Sequence, residues 1–183
     1  MTATAPSPAG VVTHGGAPLW FLGTLARPKL DGEHTGGRLA LWEAVLPHGA
    51  APPLHSHPQD ETAYVLDGEL TAWIVEPELA TDTAGRPAWL QQRARRCGPG
   101  TAVFAAAGTP HTFRVESDTA HVVFISTPAG IDDYIRALAE PARWPWLPPP
   151  PDGPRVEAER LAAVERELGV VRHGPAPPPA ARP

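Results

Sequence analysis

The stretch Gly49-Ala50-Ala51-Pro52-Pro53-Leu54-His55-Ser56-His57-Pro58-Gln59-Asp60-Glu61-Thr62-Ala63-Tyr64-Val65-Leu66-Asp67-Gly68 decides how this chain is read. Its centre is His55-Ser56-His57, with Glu61 four residues on. Residues i and i+2 of a strand face the same way, so both imidazoles aim at one point if the stretch is extended. Glu61 adds a hard oxygen donor near the start of the next strand. Far along the chain, Gly108-Thr109-Pro110 leads into His111, which opens another strand. Three imidazoles and one carboxylate suit a divalent first-row metal with open coordination positions. The plain alternative is ordinary histidines. The chain has eight, so a pair two apart is unremarkable by itself. His14, His34, His48, His121 and His173 are read in that ordinary way, as surface or packed residues. His55, His57, Glu61 and His111 are the candidate metal ligands.

Outward from this stretch, the chain reads as β from about Trp20 to Thr127. Arg38 to Leu46 is rich in strand formers and stops at Pro47-His48-Gly49. Glu61 to Leu66 stops at Asp67-Gly68. Asp-Gly between two apolar runs predicts a hairpin, with Glu69 to Val75 as the partner strand. Leu70, Ala72 and Ile74 then share one face, and Thr71, Trp73 and Val75 the other. Strand character returns at Gln91 to Cys97, Thr101 to Ala105, His111 to Glu116 and His121 to Ser126. Short strands parted by Gly/Pro/Asp turns predict an antiparallel sandwich or barrel.

The pattern changes after Pro128. Ile131, Tyr134, Ile135 and Leu138 follow the helical stripe, and Asp132 and Asp133 suit the first turn. Pro154 to Leu168 reads as a second helix, with Pro154 early and Gly169 as its stop. The 25 prolines cluster in Pro141 to Pro154 and at the end of the chain, which favours extended, loosely packed backbone. The expected division is a loose segment over 1–18, a barrel over 19–128, helices over 129–170 with a Pro-rich linker at 141–154, and a Pro-rich tail over 171–183. Trp144 and Trp146 are expected to anchor the linker on the barrel. Trp20, Phe21 and Trp42 lie on early strands and could pack in the core or between subunits.

Composition excludes several classes. Net charge is -5, and only Arg93, Arg95 and Arg96 cluster, so no nucleic-acid footprint stands out. The single cysteine, Cys97, excludes an intramolecular disulfide. No apolar run approaches the roughly 18 residues of a membrane span. The N-terminus lacks a basic start and an apolar region, so a soluble cytoplasmic protein with no membrane partner is expected.

Gly49, His55, His57, Glu61 and Gly68 together resemble the first motif of the cupins, without a gap. The second cupin motif is recognisable from Gly100 through Gly108 to His111. Ala106 stands where that family usually has proline, and Val115 where it often has asparagine. Leu19-Trp20-Phe21-Leu22-Gly23, Thr35-Gly36-Gly37-Arg38 and Thr127-Pro128-Ala129-Gly130 are similar to single-barrel cupins of the quercetin 2,3-dioxygenase-like group. The resemblance implies an all-β antiparallel cupin (double-stranded β-helix, or jelly-roll) barrel with C-terminal helices. It implies one divalent transition metal (Fe, Mn, Co, Ni, Cu or Zn) on His55, His57, Glu61 and His111. It further implies a dioxygenase that opens a flavonol or related enolisable aromatic with O2 and releases carbon monoxide. Glu61 would be the base, its basicity raised by an apolar surround. Tyr64 and Phe113, near the ligands in sequence, are the expected substrate-pocket residues. Two alternatives use the same site: an oxygen-independent cyclase, isomerase or lyase tailoring a polyketide, and a small-molecule-binding barrel. A homodimer is expected by the same resemblance.

Overall fold

A computed structural model describes residues 10–75, 94–150 and 156–178. The expected strand residues Gln91 to Arg93 and the predicted helix start at Pro154 lie outside them. Among the described residues the strands form two antiparallel sheets. One has seven strands, in the order β11-β1-β2-β3-β10-β5-β8. These are β1 (Leu19–Phe21), β2 (Thr24–Leu30), β3 (Ala40–Pro47), β5 (Asp60–Asp67), β8 (Ala102–Ala105), β10 (Thr119–Thr127) and β11 (Glu140–Pro141). The other has five, in the order β12-β4-β9-β6-β7. These are β4 (Leu54–Ser56), β6 (Leu70–Ile74), β7 (Arg95–Cys97), β9 (His111–Val115) and β12 (Val171–Gly174). The predicted jelly-roll class is the one found.

Strict alternation builds the interior. Ala40, Trp42, Ala44 and Leu46 of β3 are buried, as are Ala120, Val122, Phe124 and Ser126 of β10. The two strands pair with Phe124 opposite Trp42, and the rings stack at 5.5 Å. Their burial in one chain assigns Trp42 to the core rather than to a subunit contact. Trp20 is likewise only 6% exposed. It meets Trp144 edge-on at 4.9 Å and donates its Nε1 hydrogen to the Trp146 carbonyl at 2.9 Å. The linker is therefore tied to the barrel by its tryptophans, and it begins as strand β11 against β1.

Three expectations need correction. Asp67-Gly68 does not close a hairpin: β5 pairs with β10 and β8, whereas β6 pairs with β9 and β7. The turn carries the chain from one sheet to the other. Its glycine is required by a close approach. Gly68 has φ +79°, and a Cβ there would meet the Thr119 carbonyl oxygen at 2.3 Å and the Ala120 Cα at 2.7 Å. Gly68→Ala should therefore cost more than the roughly 1 kcal/mol of an ordinary glycine replacement. Gly100→Ala, at φ +85° but with nothing near, should cost distinctly less. Thermal melts of the two variants check this; equal losses would remove the steric explanation.

Second, the tail does not begin at 171. Residues Val171–Gly174 are strand β12, paired with β4. Without it β4 would present an unpaired edge. Gly169, at φ +72°, turns the chain from helix into that strand. Third, the last helix, α3, runs over Ala158–Glu167, because Glu157 before it has extended backbone (ψ 135°). Two helices precede it: α1 (Gly32–Thr35) and α2 (Ile131–Leu138). The predicted stripe of α2 buries Ile131, Ile135 and Leu138. Among the described residues no helix is long and apolar enough to cross a membrane.

Candidate metal centre

Strand β4 carries His55, and His57 follows directly after it. Strand β9 opens with His111, which is the cross-strand partner of His55. The turn before it forms without the family's proline: the Thr109 amide donates to the Ala106 carbonyl at 2.9 Å, and Gly108 takes φ +75°. One nitrogen from each of His55, His57 and His111 can be chosen so that all lie within 4.8 Å of one another. Ring centroids are 4.6 Å apart for His55 and His111, 5.0 Å for His57 and His111, and 5.8 Å for His55 and His57.

Backbone carbonyls fix two of the rings. His55 Nδ1 lies 2.8 Å from the Pro53 oxygen, and His111 Nδ1 lies 2.9 Å from the Thr109 oxygen. A carbonyl can only accept, so each Nδ1 carries the hydrogen and each neutral Nε2 keeps its lone pair. His57 is 3% exposed, and neither of its ring nitrogens has a hydrogen-bond partner among the described residues. His111 Nε2 is also buried without one. Each such orphan costs about 1–3 kcal/mol in a finished interior. Converging lone pairs with no partner fit a bound cation, and imidazole donors suit a divalent transition metal. These three histidines can hold such an ion.

Glu61, on β5, comes in from the opposite sheet. Its carboxylate lies 3.6 Å from His57 Nε2 and 3.7 Å from His111 Nε2, ion-pair distances too long for hydrogen bonds. Burial alone would raise its pKa, but the imidazoles of His111 and His57 more than reverse that and hold it well below the usual carboxylate range. The expected rise in basicity is thus corrected: polar neighbours outweigh the apolar surround. His55 is pushed down to about 4, by burial first and by the charge of His111 second. Burial pulls His111 down as well, yet the Glu61 carboxylate beside it carries its pKa above the ordinary value.

The cluster sits in the wall of a cavity of about 440 Å³. Phe21, Trp42, Phe113, Phe124, Ile131 and Ile135 give that cavity its apolar lining. Of the two residues expected at a substrate pocket, Phe113 is in this lining and Tyr64 is not. Tyr64 is 41% exposed and outside the lining. It lies three residues from Glu61 on one strand, an odd spacing, so it faces the other way. Trp42 was open to the same parity count, since it shares a face with Ala40, Ala44 and Leu46. Tyr134, Glu165 and Arg172 also line the cavity, and no motif announced them. Three of the histidines read as ordinary have partners outside the ligand set. His48 contacts the Glu116 and Ser117 carbonyls, His121 faces Glu43, and His173 bonds the Ser56 hydroxyl at 2.9 Å.

No curated protein matches the sequence. In structure the chain is similar to an RmlC-like cupin from Shewanella frigidimarina, at 14% identity, covering 69% of this chain and 96% of that one, TM-score 0.49. It is similar to KdgF from Halomonas sp., at 19% identity over 61% of this chain and 85% of that one, TM-score 0.47. It is also similar to the polyketide cyclase RemF from Streptomyces resistomycificus, at 23% identity over 69% and 78%, TM-score 0.45. The family described as the cupin domain matches residues 42–128. That segment supplies all four candidate ligands, most of β3 and all of β4 to β10, and it is a cupin domain.

Proposed function

We propose that this chain is a metal-dependent enzyme that takes a proton from an enolic or phenolic hydroxyl of a flat, largely apolar substrate. One observation carries the reading. A carboxylate stands 3.6 and 3.7 Å from two converging imidazoles, in the wall of an apolar cavity. His55, His57 and His111 would hold the metal, with Glu61 as the fourth ligand. A bound divalent ion supplies Lewis acidity, which lowers the pKa of a hydroxyl brought beside it. Glu61 receives the proton at a carboxylate oxygen. A weak base suffices there once the hydroxyl has been acidified. Trp42, Phe113 and Phe124 clasp the substrate's faces and keep water away. The volume suits a small-molecule ligand, within the usual range of about 300–1,000 Å³.

In the leading form of this proposal the deprotonated substrate is a flavonol or similar enolisable aromatic. One O2 is consumed, the ring carbons are oxidised as it is reduced, and one CO leaves. A second form needs no oxidant: the same proton transfer starts a cyclisation, isomerisation or elimination. Its support is that proton transfer from the substrate to Glu61 is common to both forms and itself needs no oxidant.

The test loads the full chain separately with Fe(II), Mn(II), Co(II), Ni(II) and Zn(II) and mixes each with quercetin, in air and under argon. Loss of the flavonol's visible band and release of CO are followed together. Both signals, in air only and with a redox-capable metal, are expected from the dioxygenase. Absence of reaction with every metal sinks that form and leaves the oxygen-independent one to be screened with zinc-loaded protein and polyketide-like enols.

A further inference from the structure

The ligand cluster is not the only polar part of the cavity. Tyr134 of α2, Glu165 of α3 and Arg172 of β12 line it too, among apolar neighbours such as Leu22, Leu161 and Val170. They form one unit. Arg172 donates from Nε and Nη2 to the Glu165 carboxylate at 2.7 to 3.0 Å, and the Tyr134 hydroxyl donates to the same carboxylate at 3.4 Å. Burial, and then the charge of Glu165, raises the Tyr134 pKa to about 12, so it remains a donor.

Register brings this unit to the metal centre. Arg172 is the cross-strand partner of His55, and His55 is the partner of His111. Directly opposed residues share a face, with Cβ atoms about 4.5–5.5 Å apart. Arg172, His55 and His111 therefore form one row across the sheet, and all three line the cavity. A latch fastening α3 to β12 would explain the ion pair with Glu165. By itself it gives no role to the place of Arg172 on the cavity wall, in the row of His55 and His111, where the side chain keeps 45% of its surface open.

We propose that Arg172 is a substrate-anchoring residue: its guanidinium, held in place by Glu165 and Tyr134, receives an anionic oxygen of a flat apolar ligand, beside the group that meets the metal. The ligand class is thus a small aromatic or enolic molecule carrying a carboxylate, phenolate or enolate. This rests on the cavity being the ligand site, as in the function proposed above, but not on metal or turnover.

The test is calorimetric titration of the metal-free full chain with two probes of like shape, 2-naphthoate and 2-naphthalenemethanol. Wild type should prefer the anion. Arg172→Gln should weaken 2-naphthoate about tenfold, as expected for loss of a charged hydrogen bond, and leave the alcohol unchanged. Glu165→Gln should bind 2-naphthoate several-fold more tightly, because it frees the guanidinium's charge. A latch predicts the opposite: both substitutions would loosen α3 and weaken both probes alike. That result overturns the proposal, as does an Arg172→Gln variant that binds both probes like wild type. Failure of wild type to bind either probe overturns it together with the cavity reading. Charge-selective binding lost in Arg172→Gln supports it even if no metal turns quercetin over.

Discussion

His111→Ala is expected to weaken binding of a divalent transition metal by at least about 100-fold, more than loss of an outer hydrogen-bond partner of a metal ligand typically does. His111 offers a buried Nε2 with no hydrogen-bond partner among the described residues, on a ring held by the Thr109 carbonyl, directly across the ladder from His55. Its removal leaves two imidazoles from one short segment and no donor from β9. The pH dependence has a definite sign. Metal binding requires neutral imidazoles, so protons compete with the ion. Glu61 raises the His111 pKa above that of an ordinary histidine, so as the pH falls competition begins at His111. His55, at about 4, adds to it only under much more acid conditions. Affinity should therefore fall on mild acidification, with His111 titrating before His55. Calorimetry with Co(II) or Zn(II) measures this directly. A thermal melt gives a second readout, since metal at a thousand times its Kd adds about 4 kcal/mol to the stability of a protein that binds it only when folded. His121→Ala, outside the cluster, is the control. If His111→Ala binds metal as wild type does, or no worse than the control, the centre has been misplaced.

The legible parts of this molecule were those written in local spacing. His55 and His57 two apart, an alternating β3 and the stripe of α2 each follow from the period of one element. His111 was found through the short turn before it. What escaped depends on which elements meet. Asp67-Gly68 has the chemistry of a hairpin turn, yet here the chain crosses between sheets, because β10 occupies the place beside β5 that a hairpin would give to β6. Val171 to Gly174 sits in a Pro-rich tail by composition, and only the open edge of β4 makes it a strand. Tyr134, Glu165 and Arg172 come from three separate elements, so no local pattern joins them. Tyr64 differs: its odd spacing from Glu61 along one strand turns it to the other face, and nearness in sequence carries no information on side-chain direction.

Glu61→Gln should leave the fold and most of the metal affinity in place while reducing turnover by about 10²- to 10⁴-fold, the range of a lost general base. The amide has nearly the carboxylate's shape and keeps one oxygen that can face a cation, but it cannot accept the proton. Its effect on the histidines runs opposite to that of losing a ligand. The Glu61 charge is what raises the His111 pKa, so with glutamine there His111 sheds its proton at lower pH. Proton competition at His111 should then ease, and the metal-binding profile of Glu61→Gln should shift toward acid as turnover collapses. The step itself can be watched without oxygen. Deprotonated quercetin absorbs at longer wavelength, so wild type loaded with metal should shift the flavonol's band on binding under argon. Glu61→Gln should bind the flavonol with little or no shift at the same pH. A variant that keeps the shift and turns over within tenfold of wild type would show that another group takes the proton, and Glu61 would then be a ligand or a charge-balancing residue only. Loss of metal to the same degree as in His111→Ala would instead make coordination its main role. The separation of these two losses, one in turnover and one in metal content, is what a carboxylate poised beside two imidazoles predicts and a purely structural ion pair does not.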